Sequence, residues 1–209
     1  MKFKHNIYSL ACIGSMLLSN QQLTAQDSTI QQIQAANMAV IPMPATVTSS
    51  KNEKAFLLNG NTRIEASADL KSEAGYLQSL IDQGFEKASK APENTVVLSI
   101  DTSLEKEAYT LDVSNKKISI TGGDSAGVFY AIQTLRQLLP VQLAYGEVAN
   151  KATAAKVSAT KIEDKPLTAW RGVMVDSARH FQSKEFIMKF IDMMAMHKLN
   201  RMHWHLVDS

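Results

Sequence analysis

Trp170-Arg171-Gly172-Val173-Met174-Val175-Asp176, then Ser183 to His197, then Arg201-Met202-His203-Trp204-His205-Leu206-Val207-Asp208 decide how the last part of the chain folds. The interior of the first stretch, Val173-Met174-Val175, is continuously apolar, as in a parallel strand covered on both faces. Ser183 is placed to cap a helix over residues 184–197, and Phe186, Ile187, Phe190, Ile191, Met193 and Met194 form one apolar stripe on it. Asn200 stands where that helix should end, and residues 201–208 read as a second strand. Strand, helix and strand within about 40 residues make one βαβ unit. Repetition of such a unit builds either an open doubly wound sheet or a closed eight-fold barrel, and the pattern alone leaves both open.

Pro166 marks the start of this unit, and a different pattern precedes it. Ile41-Pro42-Met43-Pro44 fixes an extended start to residues 41–165. Residues 56–58 and 62–65 read as short strands around the turn Asn59-Gly60-Asn61. Leu70, Leu77, Leu80, Ile81 and Phe85 recur at helical spacing and predict a helix over 69–90, with Asp69 as a candidate cap. Thr95 to Ile100 is β-branched and apolar, hence a buried strand. Residues 109–113 and 117–121 predict a hairpin around Ser114-Asn115-Lys116. A second helix is predicted over 125–139, stopped by Pro140. Residues 141–165 read as a looser connector, with one further strand over 157–162. The expected fold is a small α/β sandwich, one sheet with helices on one face, followed from residue 166 by the βαβ unit.

The first 25 residues are expected to lie outside the fold. Lys2, Lys4 and His5 precede an uncharged, mostly apolar run from Ile7 to Leu18, and the small residue Ala25 follows. This is the layout of a signal peptide, too short in its apolar part to span a bilayer. Export to the periplasm or the outside follows. Cys12 gives a weaker lipoprotein reading, because too few apolar residues separate it from the basic end. Residues 26–40 are Gln-rich and expected to be a mobile lead-in. If the leader is removed, the 22 basic residues lose Lys2 and Lys4 and then match the 20 acidic ones. A neutral chain of this kind argues against nucleic acid as a partner, and no membrane span is expected. Oligomeric state is not legible.

Function in parallel α/β architectures gathers at the carboxyl ends of strands. Asp176-Ser177-Ala178-Arg179-His180 follows the first strand, and His203, His205 and Asp208 lie on or after the second. These stretches resemble the first two barrel strands of glycoside hydrolase family 20. Arg171 to Phe181 is similar to the opening strand, and Lys198-Leu199-Asn200 with His203 to Asp208 to the second. Ala108 to Leu111 and Gly127 to Leu139 are similar to the family's small α/β domain. The resemblance implies a (β/α)₈ TIM barrel behind that domain, truncated here after one strand–helix–strand. It implies a β-N-acetylhexosaminidase that removes terminal β-linked N-acetylglucosamine or N-acetylgalactosamine from an oligosaccharide or glycoconjugate. Catalysis in the family is substrate-assisted: the acetamido oxygen of the sugar attacks the anomeric carbon while a protein Glu protonates the leaving oxygen. No cofactor or metal is implied. The Asp-Glu pair for that step has no counterpart in residues 1–209, so this polypeptide by itself is expected to be inactive.

By resemblance, Arg179 binds hydroxyls of the terminal sugar, for which a fixed fork of donors is suited. Asp208 orients the general acid through a His of a later strand. Asp176, His180, His203 and His205 are candidates for a strand-end network, the two last as structural residues with hydrogen-bonded rings. Arg171 is expected to tie the barrel's first strand to nearby carboxylates, and Trp204 to be core. Two other functions compete: a carbohydrate-binding or vestigial module, and a metal-dependent hydrolase using His203 and His205, which share one strand face.

Overall fold

Alternate residues of the central strands are apolar, and the structure buries that set. The computed structural model describes residues 40–49, 53–87, 94–146 and 149–208. The leader and nearly all of the lead-in lie outside these; Val40, assigned above to the lead-in, is buried. The elements are β1 (Thr46–Ser49), β2 (Phe56–Leu58), β3 (Arg63–Ala66), a 3-10 turn (Ala68–Leu70), α1 (Lys71–Gly84), β4 (Thr95–Ile100), β5 (Tyr109–Val113), β6 (Lys117–Gly122), α2 (Ser125–Gln137), α3 (Val141–Ala144), β7 (Ala155–Val157), β8 (Thr160–Asp164), β9 (Gly172–Asp176), α4 (Lys184–Met196) and β10 (Arg201–His205). A six-stranded sheet runs in the order β1-β8-β5-β6-β4-β3. Strands β3, β4 and β6 are mutually parallel where they pair, while β5 is antiparallel to both β6 and β8. One face presents Val96, Leu98, Leu111, Ile118, Ile120 and Ile162 to Leu77 and Ile81 of α1 and to Val128, Ile132 and Leu135 of α2. Each large apolar side chain buried there stabilises the fold by about 1.5–3 kcal/mol relative to exposure.

The small α/β sandwich is therefore present, with five departures. Asn59-Gly60-Asn61 does turn the chain, closed by Thr62 N–H donating to Asn59 O at 3.1 Å, but β2 and β3 do not form a hairpin. β3 pairs with β4 and β2 with β7, in separate sheets, because the α1 crossover brings β4 alongside β3. α1 stops at Gly84, since Phe85 is extended and buried and the chain there exchanges bonds with Ala152. No side chain caps it, Asp69 included. α2 ends at Gln137, not Leu139, as expected for residues next to Pro140. The connector holds two strands: β8 enters the large sheet between β1 and β5, and β7 joins β2.

The start of α2 is set by a close approach. Asp124 caps it, its Oδ1 accepting from Gly127 N–H at 2.8 Å and also from Glu107 N–H at 3.1 Å. The single oxygen thus holds Glu107 in a left-handed conformation (φ 60°), unusual for a residue with a side chain. A Cβ on Gly123 would meet Glu105 O at 2.0 Å, so only glycine lets these segments touch.

The strand–helix–strand after residue 166 is present, but β10 stops at His205 rather than running to Asp208, and α4 ends at Met196. β9 and β10 are parallel, and Ser183 Oγ caps α4 by accepting from Phe186 N–H at 3.2 Å. Only one face of β9 is covered among the described residues: Val175 is buried, whereas Met174 is exposed.

Polar side chains join this unit to the first domain, where α2 packs against α4. Arg136 grips Asp192 with two bonds of 2.8 Å. Arg171, expected to reach nearby carboxylates, grips Glu107 at 3.0 and 3.2 Å, donates to Tyr130 at 2.9 Å, and binds Lys198 O with Nε at 2.8 Å. Asn200 Nδ2 also reaches Glu107, at 3.3 Å. Lys198, left-handed (φ 59°) and buried, donates to Asp164 at 2.9 Å and to the Tyr109 hydroxyl at 2.7 Å. Burial pulls the Lys198 ammonium below its ordinary pKa, with Asp164 opposing. The joint fixes the amino-terminal ends of β9 and β10, and so sets where their carboxyl ends lie.

Candidate active site

Parallel pairing places Asp176 directly across from His205, the last residues of β9 and β10. The ladder continues one step, with Ser177 N–H donating to His205 O at 2.9 Å. Beyond this point the chain after β9 curls back on Asp176. Its Oδ1 accepts from Ala178 N–H at 3.1 Å and Arg179 N–H at 3.0 Å, and its Oδ2 accepts from Arg179 Nη1 at 3.0 Å. The backbone bond from Arg179, helped by that residue's charge, holds the Asp176 carboxyl below the usual range. A turn built on an ionised carboxylate thereby aims a guanidinium.

Arg179 and Asp208 come together. Arg179 Nη2 lies 3.8 Å from Asp208 Oδ2, while Asp208 Oδ1 faces His205 Nε2 at 3.9 Å. Both side chains are open to solvent, 68% and 60% exposed, so their mutual attraction contributes little to stability.

Asp176 and His205 face each other across the ladder and are half-buried, whereas His180 and His203 are exposed. His203 sits one strand repeat below the mouth, and His180 follows Arg179 on the way to α4. The expected hydrogen-bonded histidine rings are not found: the rings of His203 and His205 are 6.5 Å apart, and His205 Nε2 is buried without a hydrogen bond among the described residues. Among those residues no group of three or more His, Cys, Asp or Glu is arranged to hold a metal ion. Trp204 is half exposed rather than core, and its Nε1 donates to Ser177 Oγ at 2.9 Å, bracing the two strand ends. Ser177 had no role in the sequence reading; a hydroxyl one residue beyond a parallel strand was the available signal. Glu107, Lys198 and Asp164 were also missed, since isolated charged residues read as surface until the fold brings them together.

Comparison with known proteins gives the class. Residues 37–165 match glycosyl hydrolase family 20, domain 2, and residues 169–209 match the catalytic domain of glycosyl hydrolase family 20. A beta-hexosaminidase of Porphyromonas gingivalis is 34% identical over 213 aligned residues, covering 95% of this chain and 26% of the relative. The GH20 beta-N-acetylhexosaminidase of Streptomyces coelicolor A3(2) superimposes with a TM-score of 0.68 at 31% identity, over 79% of this chain and 34% of that one. The GH20 exo beta-N-acetylglucosaminidase of Vibrio harveyi, solved with N-acetylglucosamine, gives a TM-score of 0.64 at 29% identity, over 79% and 25% of the two chains. This chain belongs to glycosyl hydrolase family 20: the family's domain 2 followed by the first strand–helix–strand of its catalytic domain. It spans about a quarter of the length of the Porphyromonas relative.

Proposed function

We propose that this protein serves the hydrolysis of terminal β-linked N-acetylglucosamine or N-acetylgalactosamine from glycans. The observation that carries the reading is the Arg179 guanidinium at the carboxyl ends of β9 and β10, anchored by Asp176 through Nη1 and with Nη2 turned to the open mouth. A guanidinium fixed on one side presents its remaining donors in a set geometry, which suits adjacent hydroxyls on a pyranose. Asp208 stands beside it as the carboxylate that positions the general acid. In the substrate-assisted mechanism the acetamido oxygen bonds to the anomeric carbon as the glycosidic C–O bond breaks, and a Glu proton passes to the leaving oxygen. Residues 1–209 supply sugar binding and positioning; the Glu and its partner Asp have no counterpart among them. The protein is proposed to be exported, a reading that rests on the basic and apolar character of residues 1–25.

The test is turnover of p-nitrophenyl N-acetyl-β-glucosaminide by the protein produced from its natural gene, with and without Arg179→Lys. Lysine keeps the charge and loses the fork, so KM should rise about ten-fold or more. Turnover that is indifferent to this change contradicts the role of Arg179. Sugar binding without any turnover would make the protein a carbohydrate-binding module instead.

A further inference from the structure

Asp208 is flanked by a guanidinium N–H group and an imidazole nitrogen and hydrogen-bonded to neither. Its Oδ2 lies 3.8 Å from Arg179 Nη2 and its Oδ1 lies 3.9 Å from His205 Nε2. Asp176 differs: its two oxygens already take three donors, two backbone N–H groups and Arg179 Nη1. The groups around Asp208 are thus Arg179, whose charge is half committed to Asp176, and His205, whose Nε2 is buried and makes no hydrogen bond among the described residues. His205 is fixed by the ladder opposite Asp176, while Asp208 lies three residues beyond, in a stretch without regular structure. A shift of about 1 Å would bring the 3.9 Å separation of Asp208 Oδ1 and His205 Nε2 to hydrogen-bond length.

We propose that His205 is a positioning residue of the sugar-binding mouth: its Nε2–H draws Asp208 Oδ1 and so keeps Asp208 from closing a full ion pair on Arg179 Nη2. Arg179 and His205 compete for one carboxylate. Without a donor on the His205 side, Asp208 is attracted only toward Arg179, and a bond there ties up the donors that sugar hydroxyls would use. With His205 holding it, Arg179 stays anchored by Asp176 alone, and Asp208 keeps a fixed orientation. The inference rests on the hexosaminidase reading, but its test is separate.

Steady-state kinetics on the p-nitrophenyl substrate are compared for the protein produced from its natural gene, taken as wild type, and for its His205→Leu, His205→Gln and His205→Asn variants. His205→Leu removes the donor and should raise KM about ten-fold, the scale of one hydrogen bond to a charged group. Gln places an amide nitrogen near the position of Nε2 and should recover most of that loss. Asn is too short to reach and should not. Should the Leu protein fail to fold, the contrast between Gln and Asn carries the same information. In an Asp208→Asn background the Leu change should add little, because the two act through one contact. Unchanged KM in His205→Leu, or equal KM in Gln and Asn, overturns the inference while leaving the reading intact. A wild type that does not turn over the sugar at all fails the reading instead.

Discussion

Replacing Glu107 with Gln removes one charge from the interdomain joint and leaves its outline unchanged. Glu107 Oε2 accepts from Arg171 Nη1 at 3.0 Å; Oε1 accepts from Arg171 Nη2 at 3.2 Å, the Tyr130 hydroxyl at 3.1 Å and Asn200 Nδ2 at 3.3 Å. Every neighbour is a donor. Glutamine keeps one acceptor oxygen and turns an NH₂ group against Arg171 or its companions whichever way it lies. The two side chains are 13% and 23% exposed, so water relieves the mismatch only in part. Breaking a fully buried pair costs about 3–5 kcal/mol, and the remaining exposure brings Glu107→Gln to about 2 kcal/mol. For a unit of this size that corresponds to about 4–8 °C in the thermal midpoint. The cost also depends on pH. Arg171, through its hydrogen bonds, holds the Glu107 carboxyl below its ordinary value of 4.5. On acidification the unfolded carboxyl takes up its proton first, so the stabilisation is complete above that ordinary value and disappears as pH falls through the folded one. Urea unfolding of both proteins should show a gap of about 2 kcal/mol near pH 7 that narrows below about pH 4. Equal stabilities at neutral pH, or a gap that widens in acid, would refute the reasoning.

Lys198→Met should destabilise by about 3 kcal/mol, because Asp164 is left in a buried site with only the Tyr109 hydroxyl and Ala45 N–H; urea unfolding at neutral pH measures it. In an Asp164→Asn background the same change should cost clearly less. Gly123→Ala drives a Cβ onto Glu105 O and should lower the thermal midpoint, followed by circular dichroism, more than any single exposed substitution in the sheet.

The βαβ unit was legible because its signals are local. Val173-Met174-Val175 marks β9, Ser183 caps α4, and the residues between them need no distant partner to be read. The single strand read over 157–162 is in fact two, β7 ending at Val157 and β8 beginning at Thr160, each in a different sheet. The pairing of β2 with β7 depends on the whole sheet. Left-handed Glu107 and Lys198 carry no glycine to announce them; tertiary bonds hold both conformations. In the site, Arg179 and Asp208 were singled out by the family resemblance, and the fold adds that their side chains lie 3.8 Å apart. The exposure of His180 could not be read from the sequence, because it depends on how the turn after β9 curls around Asp176.

The central claim is that Arg179 and Asp208 form the mouth that receives a terminal N-acetylhexosamine. A crystal structure of the protein from its natural gene with N-acetylglucosamine bound tests this most directly. The account predicts the sugar at the carboxyl ends of β9 and β10, with its hydroxyls within hydrogen-bond distance of the Arg179 guanidinium. Sugar bound away from Arg179, with the mouth beside Asp176 and Asp208 empty, would contradict it.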